Sequence, residues 1–290
     1  MTTRALEERA LEERAPEETA PVRVNPSWLA LREAADAAAR SAELVEQLRG
    51  LMPGRSNTVI HDLGCGTGSM GRWLAPRLAG RQHWIGYDRD AELLAHAAAN
   101  PPGLAADGAP VTIETRQRDI TRLDAAELAG AGLITASALL DMMTEDELDR
   151  FVLSCNAAGC PILLTISVIG RVELEPSDPL DECLGRAFNA HQRRTVDGRR
   201  LLGPDAVDAT VARFTALGAD VLALPSPWRL GVDQAALAAE WFTGWVGAAC
   251  EQQAELAEAA ADYASRRLAQ AAADSLDVTV HHQDLLITPR

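Results

Sequence analysis

Positive charge is scarce in this chain: Lys and Arg number 27 against 42 Asp and Glu over 290 residues, a formal net charge of -15. Such a surface repels phosphate backbones, so nucleic acid is not an expected partner. Cysteine is also scarce. The five present form no C-x-x-C pair and fall into no regular His/Cys spacing, which points away from a disulfide framework and from a zinc site; no metal is expected. No apolar run reaches the roughly eighteen residues of a membrane span, and the first residues are charged rather than signal-like. The expected setting is therefore cytoplasmic, with no membrane partner. The 47% hydrophobic content is enough for one sizeable core with an appended subdomain.

Chemistry is concentrated in Asp62-Leu63-Gly64-Cys65-Gly66-Thr67-Gly68, between the apolar Val59-Ile60 and a helical pattern from Met70 to Leu78. A strand that ends in alternating glycines and enters a helix lets the backbone pass close to a ligand, which marks a cofactor site. Cys65 suits the loop as a small side chain. Gly66, Gly68 and Gly71 also satisfy the dinucleotide pattern G-x-G-x-x-G, with Asp88 at a plausible ribose distance, so a nicotinamide oxidoreductase is one reading. Asp62 argues against it. The first strand of a dinucleotide unit is buried and apolar up to its glycines, where a carboxylate would be a costly buried charge, whereas a cationic cofactor would favour it.

The motif resembles that of the class I S-adenosylmethionine-dependent methyltransferases, whose first motif reads acid-x-Gly-x-Gly-x-Gly, here Asp62, Gly64, Gly66 and Gly68. The resemblance covers residues 56–170 well and the remainder loosely. It implies S-adenosyl-L-methionine as cofactor, with Asp62 near its methionine part, Asp88 on the ribose hydroxyls with Arg89 sharing that region, and Asp119, followed by Ile120, near the adenine amino group. Ser137 and Asp141 then fall where relatives border the sulfonium. Asp88 and Asp119 also suit loop or helix caps, and Asp141 also suits the first turn of a helix.

Candidate strands at Gln82 to Tyr87, Val111 to Gln117, Gly132 to Ser137 and Pro161 to Gly170 alternate with helical stretches. The expected fold is therefore α/β: a doubly wound, mostly parallel seven-stranded sheet with an antiparallel last strand. Residues 1–24 repeat Leu6-Glu7-Glu8-Arg9-Ala10 as Leu11-Glu12-Glu13-Arg14-Ala15 and read as a low-complexity tail. Residues 25–55 read as N-terminal helices, capped by Ser27 with Asp36 and Arg40 at pairing distance, forming either a lid that brings Trp28 and Arg32 to the substrate or a helix on the sheet edge.

Residues 171–203 lack a sustained helix period and read as a substrate-specificity loop. Their arginines, Arg193 and Arg194 among them, suggest an anionic acceptor or else a solvated loop, and His191 suggests a general base or a loop-orienting hydrogen bond. Residues 204–290 complete the sheet, with strand six at Asp220 to Leu224 and strand seven at Leu276 to Val280, around a helical insertion at 235–273. The Trp241, Phe242 and Trp245 of that insertion suit core packing, a substrate wall or a homodimer surface. The expected function is methyl transfer to a small, anionic metabolite or natural-product intermediate. A non-catalytic cofactor-binding or partner protein is the alternative, beside the oxidoreductase.

Overall fold

The computed structural model describes residues 24–52 and 57–290. The repetitive tail, Val24 apart, lies outside the described residues. Five parallel strands carry the first half: β1 (Asn57–Leu63), β2 (Arg81–Asp88), β3 (Val111–Gln117), β4 (Leu133–Ser137) and β5 (Ile162–Glu175). The second half adds β8 (Asp220–Pro225), β9 (Trp228–Leu230) and β10 (Asp277–Thr288). The strand order is β3-β2-β1-β4-β5-β10-β8, with β10 antiparallel to both neighbours and β9 paired to its first half. The doubly wound sheet is thus as expected, with β9 as an eighth strand.

Helices cover both faces because neighbouring residues of a strand point to opposite sides. One layer sets Leu63, Ile134, Leu164 and Leu285 against Phe151 of α5 (Glu145–Ala157) and Phe214 of α7 (Ala206–Ala216). On the other face Ile60, Leu133, Leu163 and Leu286 meet Leu44 and Leu48 of α2 (Ala42–Leu51) and Leu74 of α3 (Ser69–Leu74). A third core forms where β5 and β10 run past the sheet. There Leu174, Val278 and Val280 pack with Ala35 of α1 (Pro26–Ala39), Leu184 of α6 (Asp181–Gln192), Phe242 and Trp245 of α8 (Ala235–Gln252) and Tyr263 of α9 (Ala257–Ala272). This third core caps the carboxyl ends of the parallel strands, the edge at which open α/β sheets place their ligands.

Several boundaries differ from the sequence reading. The last strand is much longer than Leu276 to Val280: that part pairs with the β5 extension, whereas Gln283 to Thr288 sit between β5 and β8. Register shifts on either side of His282 divide the two parts, and an acid amid the strand, Asp284, hides the continuation from a hydrophobic pattern. The supposed loop at 171–203 contains α6 and a small hairpin, Thr195–Val196 (β6) with Arg199–Arg200 (β7). Only Leu184 and Ala187 of α6 are buried, so its periodicity is faint and packing against α8 sustains it.

At the start of α1 the N-cap is Asn25, whose side chain accepts from the Ser27 amide, with Pro26 in the first turn, rather than Ser27 itself. Asp36 pairs with Arg32, not Arg40. The insertion at 235–273 is two helices, α8 and α9, as expected. Its Phe242 and Trp245 are interior, which removes them from any dimer surface.

Candidate active site

A cavity of about 640 Å³ opens between the carboxyl ends of β1, β2 and β4 and the cap. Asp62, at the end of β1, is 3% exposed and accepts a hydrogen bond from Thr135 Oγ1 at 2.8 Å. Burial pushes its carboxyl up to about 6, opposed by the Thr135 hydrogen bond and by the Arg40 charge. The loop then turns back over the strand end. Gly66 has φ of +53°, a left-handed conformation that a Cβ would strain, and such a Cβ would also stand 3.2 Å from Leu29 of α1.

Asp88, at the end of β2, clasps this loop. One carboxylate oxygen accepts the Gly66 amide at 3.0 Å and the other the Asp90 amide at 2.9 Å. The amide bonds fix the carboxylate beside the cavity, and each oxygen keeps acceptor capacity. Asp119, after β3, accepts the amide and hydroxyl of Thr121, at 3.0 and 2.7 Å, and so also serves as a cap. Arg89 and Ile120 line the cavity beside these acids.

The strand ends also present Ser137, whose hydroxyl accepts from Arg40 Nη2 at 3.1 Å and from Thr165 Oγ1 at 3.0 Å. Arg40 also donates to Ser69 Oγ at 3.2 Å, so one buried guanidinium ties β4 to the start of α3. Asp141 follows in a single 3-10 turn whose Leu140 is anchored in the core. It sits deep in the fold yet keeps part of its surface open to the cavity, and burial pushes its carboxyl up to about 6, with Arg32 opposing.

Most of the expected site residues meet here: Asp62, Gly64, Cys65, Gly66, Asp88, Arg89, Asp119, Ile120, Ser137, Asp141, Trp28 and Arg32 all border the cavity. Gly68 does not. It forms the left-handed N-cap of α3, where a Cβ would press within 3.3 Å of Ala97. Cys65 is buried, and its sulfur would meet a Cβ on Gly86 at 2.9 Å, so a glycine in β2 makes room for the loop.

Three expected acceptor residues lie elsewhere. His191 stands 3.2 Å from Glu251 of α8 and 3.2 Å from the Arg194 guanidinium. Burial and the Arg194 charge lower its pKa, while Glu251 raises it. Arg193 makes a two-pronged pair with Asp205, and Arg194 donates to the His191 carbonyl. His191 and Arg193 tie the end of α6 to Glu251 and Asp205, Arg194 folds back on His191, and none of the three lines the cavity, which Phe188, Asn189 and Gln192 do.

Sequence reading gave no site role to the residues that complete the wall. Trp228 Nε1 donates to Asp36 at 2.9 Å, and Asp36 receives both arms of Arg32, at 3.0 and 3.1 Å. His282 is 3% exposed, its ring centroid 5.3 Å from that of Trp228, and burial with the nearby Arg32 charge pushes its pKa down to about 3, leaving it neutral. His282 sits beside His281, Gln283 and Asp284, and Asp36 shares α1 with Arg32 and Glu33, so neither stood out as a lone polar residue in an apolar element. Among the described residues no cluster of His, Cys, Asp and Glu could hold a metal ion.

Residues 60–158 match a protein-family model described as a methyltransferase domain. No curated protein matches the chain. Among solved structures, a S-adenosylmethionine-dependent methyltransferase from Geobacter sulfurreducens, complexed with S-adenosyl-L-homocysteine, is 17% identical, covering 92% of this chain and 99% of that one at a TM-score of 0.44. One from Thiobacillus denitrificans, complexed likewise, is 14% identical over 93% and 100%, at 0.45. The cyclopropane synthase MmaA2 from Mycobacterium tuberculosis is 15% identical over 84% and 83%, also at 0.45.

Proposed function

We propose that this chain, whose residues 60–158 match a methyltransferase-domain model, is a class I S-adenosylmethionine-dependent methyltransferase that transfers the cofactor's methyl group to a small-molecule acceptor held under its helical cap. The observation that carries the reading is the convergence on one cavity of Asp62, the left-handed Gly66 turn and Asp88. These residues fit the cofactor's chemistry. A buried carboxylate is favourable beside a cation, and the position of Gly66 admits no side chain without moving Leu29. Asp88 has acceptor capacity for a pair of ribose hydroxyls.

S-adenosylmethionine, when bound, supplies a methyl group on a positively charged sulfur. The chain supplies placement. Asp62 holds negative charge at the end of β1, while Trp28 and Arg32 of the cap line the cavity and shield part of it from water. Asp141 is the group placed to receive the proton of an acceptor hydroxyl or amine, since its carboxyl is open to the cavity and titrates near the range useful for a general base. His191, which has no face on the cavity, takes no part in that step. Arg193 and Arg194 also lie outside, whereas Arg171 and Arg199 of the same segment line the cavity, each paired with a carboxylate.

Calorimetric titration with S-adenosylhomocysteine, with NADH and NADPH in parallel, tests the cofactor assignment. Binding of the first alone is expected. Preference for a nicotinamide would restore the oxidoreductase reading and remove this one.

A further inference from the structure

Given the methyl-transfer reading of the cavity, on which the inference rests, its cap side bears on the identity of the acceptor. The chain has only four Phe, six Trp and two Tyr, yet Trp28, Phe188, Trp228 and Trp241 all line this one space. They come from four separate elements, α1, α6, β9 and α8, so helix periodicity does not account for their meeting. Trp28 and Trp228 form a corner, with ring centroids 6.4 Å apart and planes inclined by 60°. Trp241 stacks on Trp245 at 5.6 Å and 21°, and of that pair it is Trp241 that lines the cavity. The Trp228 ring plane is also held in place: Asp36 binds the Trp228 indole N–H and both arms of Arg32, whose guanidinium lies 4.8 Å from the centre of the Trp228 ring. Fixed aromatic faces favour a flat, polarisable guest through offset or edge-to-face contact.

Charge narrows the guest further. On the cap side Arg32, Arg171 and Arg199 line the cavity, each engaged by a carboxylate, Asp36, Glu173 and Glu147 respectively, while Arg89 and Arg118 line it beside Asp88 and Asp119 at the strand ends. An anionic guest would have to displace one of those partners to take its arginine as a counter-ion. On the cap side a cationic guest would meet the Arg32 charge already seated on the Trp228 ring, the carboxylates of Asp62, Asp88, Asp119 and Asp141 lying at the strand-end side.

We propose that the methyl acceptor is an uncharged, planar aromatic molecule whose ring is bounded by Trp28, Trp228 and Trp241.

The test uses the full chain and three probes of one outline: a naphthol, the matching naphthoate and the saturated decalol. Each is titrated by calorimetry and by tryptophan fluorescence, with and without S-adenosylhomocysteine. The naphthol is expected to bind about tenfold more tightly than either of the others. Trp241→Leu, at a partly exposed position, is expected to weaken naphthol binding about three- to tenfold. Naphthoate or decalol binding as tightly as the naphthol, or a Trp241→Leu variant with wild-type naphthol affinity, would overturn the proposal. Titration with S-adenosylhomocysteine alone reports the cofactor half, so failure of the methyl-transfer reading would be visible separately from failure of the acceptor assignment.

Discussion

Asp88 and Asp62 serve the same cavity through different physics. Asp88 is held by two backbone amides and offers hydrogen-bond acceptors, so Asp88→Ala is expected to weaken S-adenosylhomocysteine binding by about 1–3 kcal/mol, read by calorimetry. On the proposed reading Asp62 acts through charge, and its effect should depend on pH. Because burial raises its pKa to about 6, the folded chain retains a proton that the unfolded chain releases near pH 4. The stability this contributes is full below about pH 4 and is lost as pH rises through about 6. Affinity for a cationic cofactor should run in the opposite direction, falling as pH drops through about 6, because the carboxyl then becomes neutral. Calorimetry across that range should show the decline for the wild type and a flatter profile for Asp62→Asn. An equally steep decline in the variant would assign the titration to another group. Asp141, which titrates in the same range, should instead govern turnover once an acceptor is in hand.

At the scale of elements, two joints hold the cavity open. The first is the glycine turn after β1, where Gly66→Ala would force an L-residue into the left-handed region and press Leu29 of α1. A loss of about 1–2 kcal/mol in thermal unfolding, with weaker cofactor binding, is expected. The second is the bulged crossing of β5 and β10. Buried Asp284 accepts the Ser41 amide at the start of α2 and the Ile166 amide, both at 2.8 Å, while Ile166 sits at φ of +55° and borders the cavity. A β-branched residue in that conformation is strained, and Asp284 supplies the hydrogen bond that holds it there. Asp284→Ala would leave two buried amides without partners and should destabilise the fold by about 2–5 kcal/mol in denaturant titration. By contrast, His191→Ala removes only the contacts with Glu251 of α8 and with Arg194, both outside the cavity. Wild-type affinity for S-adenosylhomocysteine is expected, and a large loss would return His191 to the site.

Across the whole molecule, the parallel core and its acids were legible in the sequence because local signals agreed. Apolar runs, glycines and strand-end aspartates recur in an order that only an open α/β sheet satisfies. The cap was not legible in the same way. Its wall is assembled from Trp28, Phe188, Trp228 and Trp241, residues up to some two hundred positions apart, and their meeting depends on strand extensions beyond the sheet. Arginines along residues 171–203 suggested an anion site, but folding separates them: Arg193 turns to Asp205 away from the cavity, whereas Arg199 lines it while paired with Glu147. Asp36 read as half of a surface pair with Arg40, whereas it bridges Arg32 and Trp228. The polar contacts that shape the cap are long-range, and spacing along the chain does not encode them.

The most direct measurement is a crystal structure of the full chain grown with S-adenosylhomocysteine. The expected result is the nucleoside across the turn at Gly66, with its ribose hydroxyls on Asp88 and its amino-acid end toward Asp62. Density for the ligand outside this cavity, or a ribose lying away from Asp88, would contradict the assignment of these residues to a methyl-donor site.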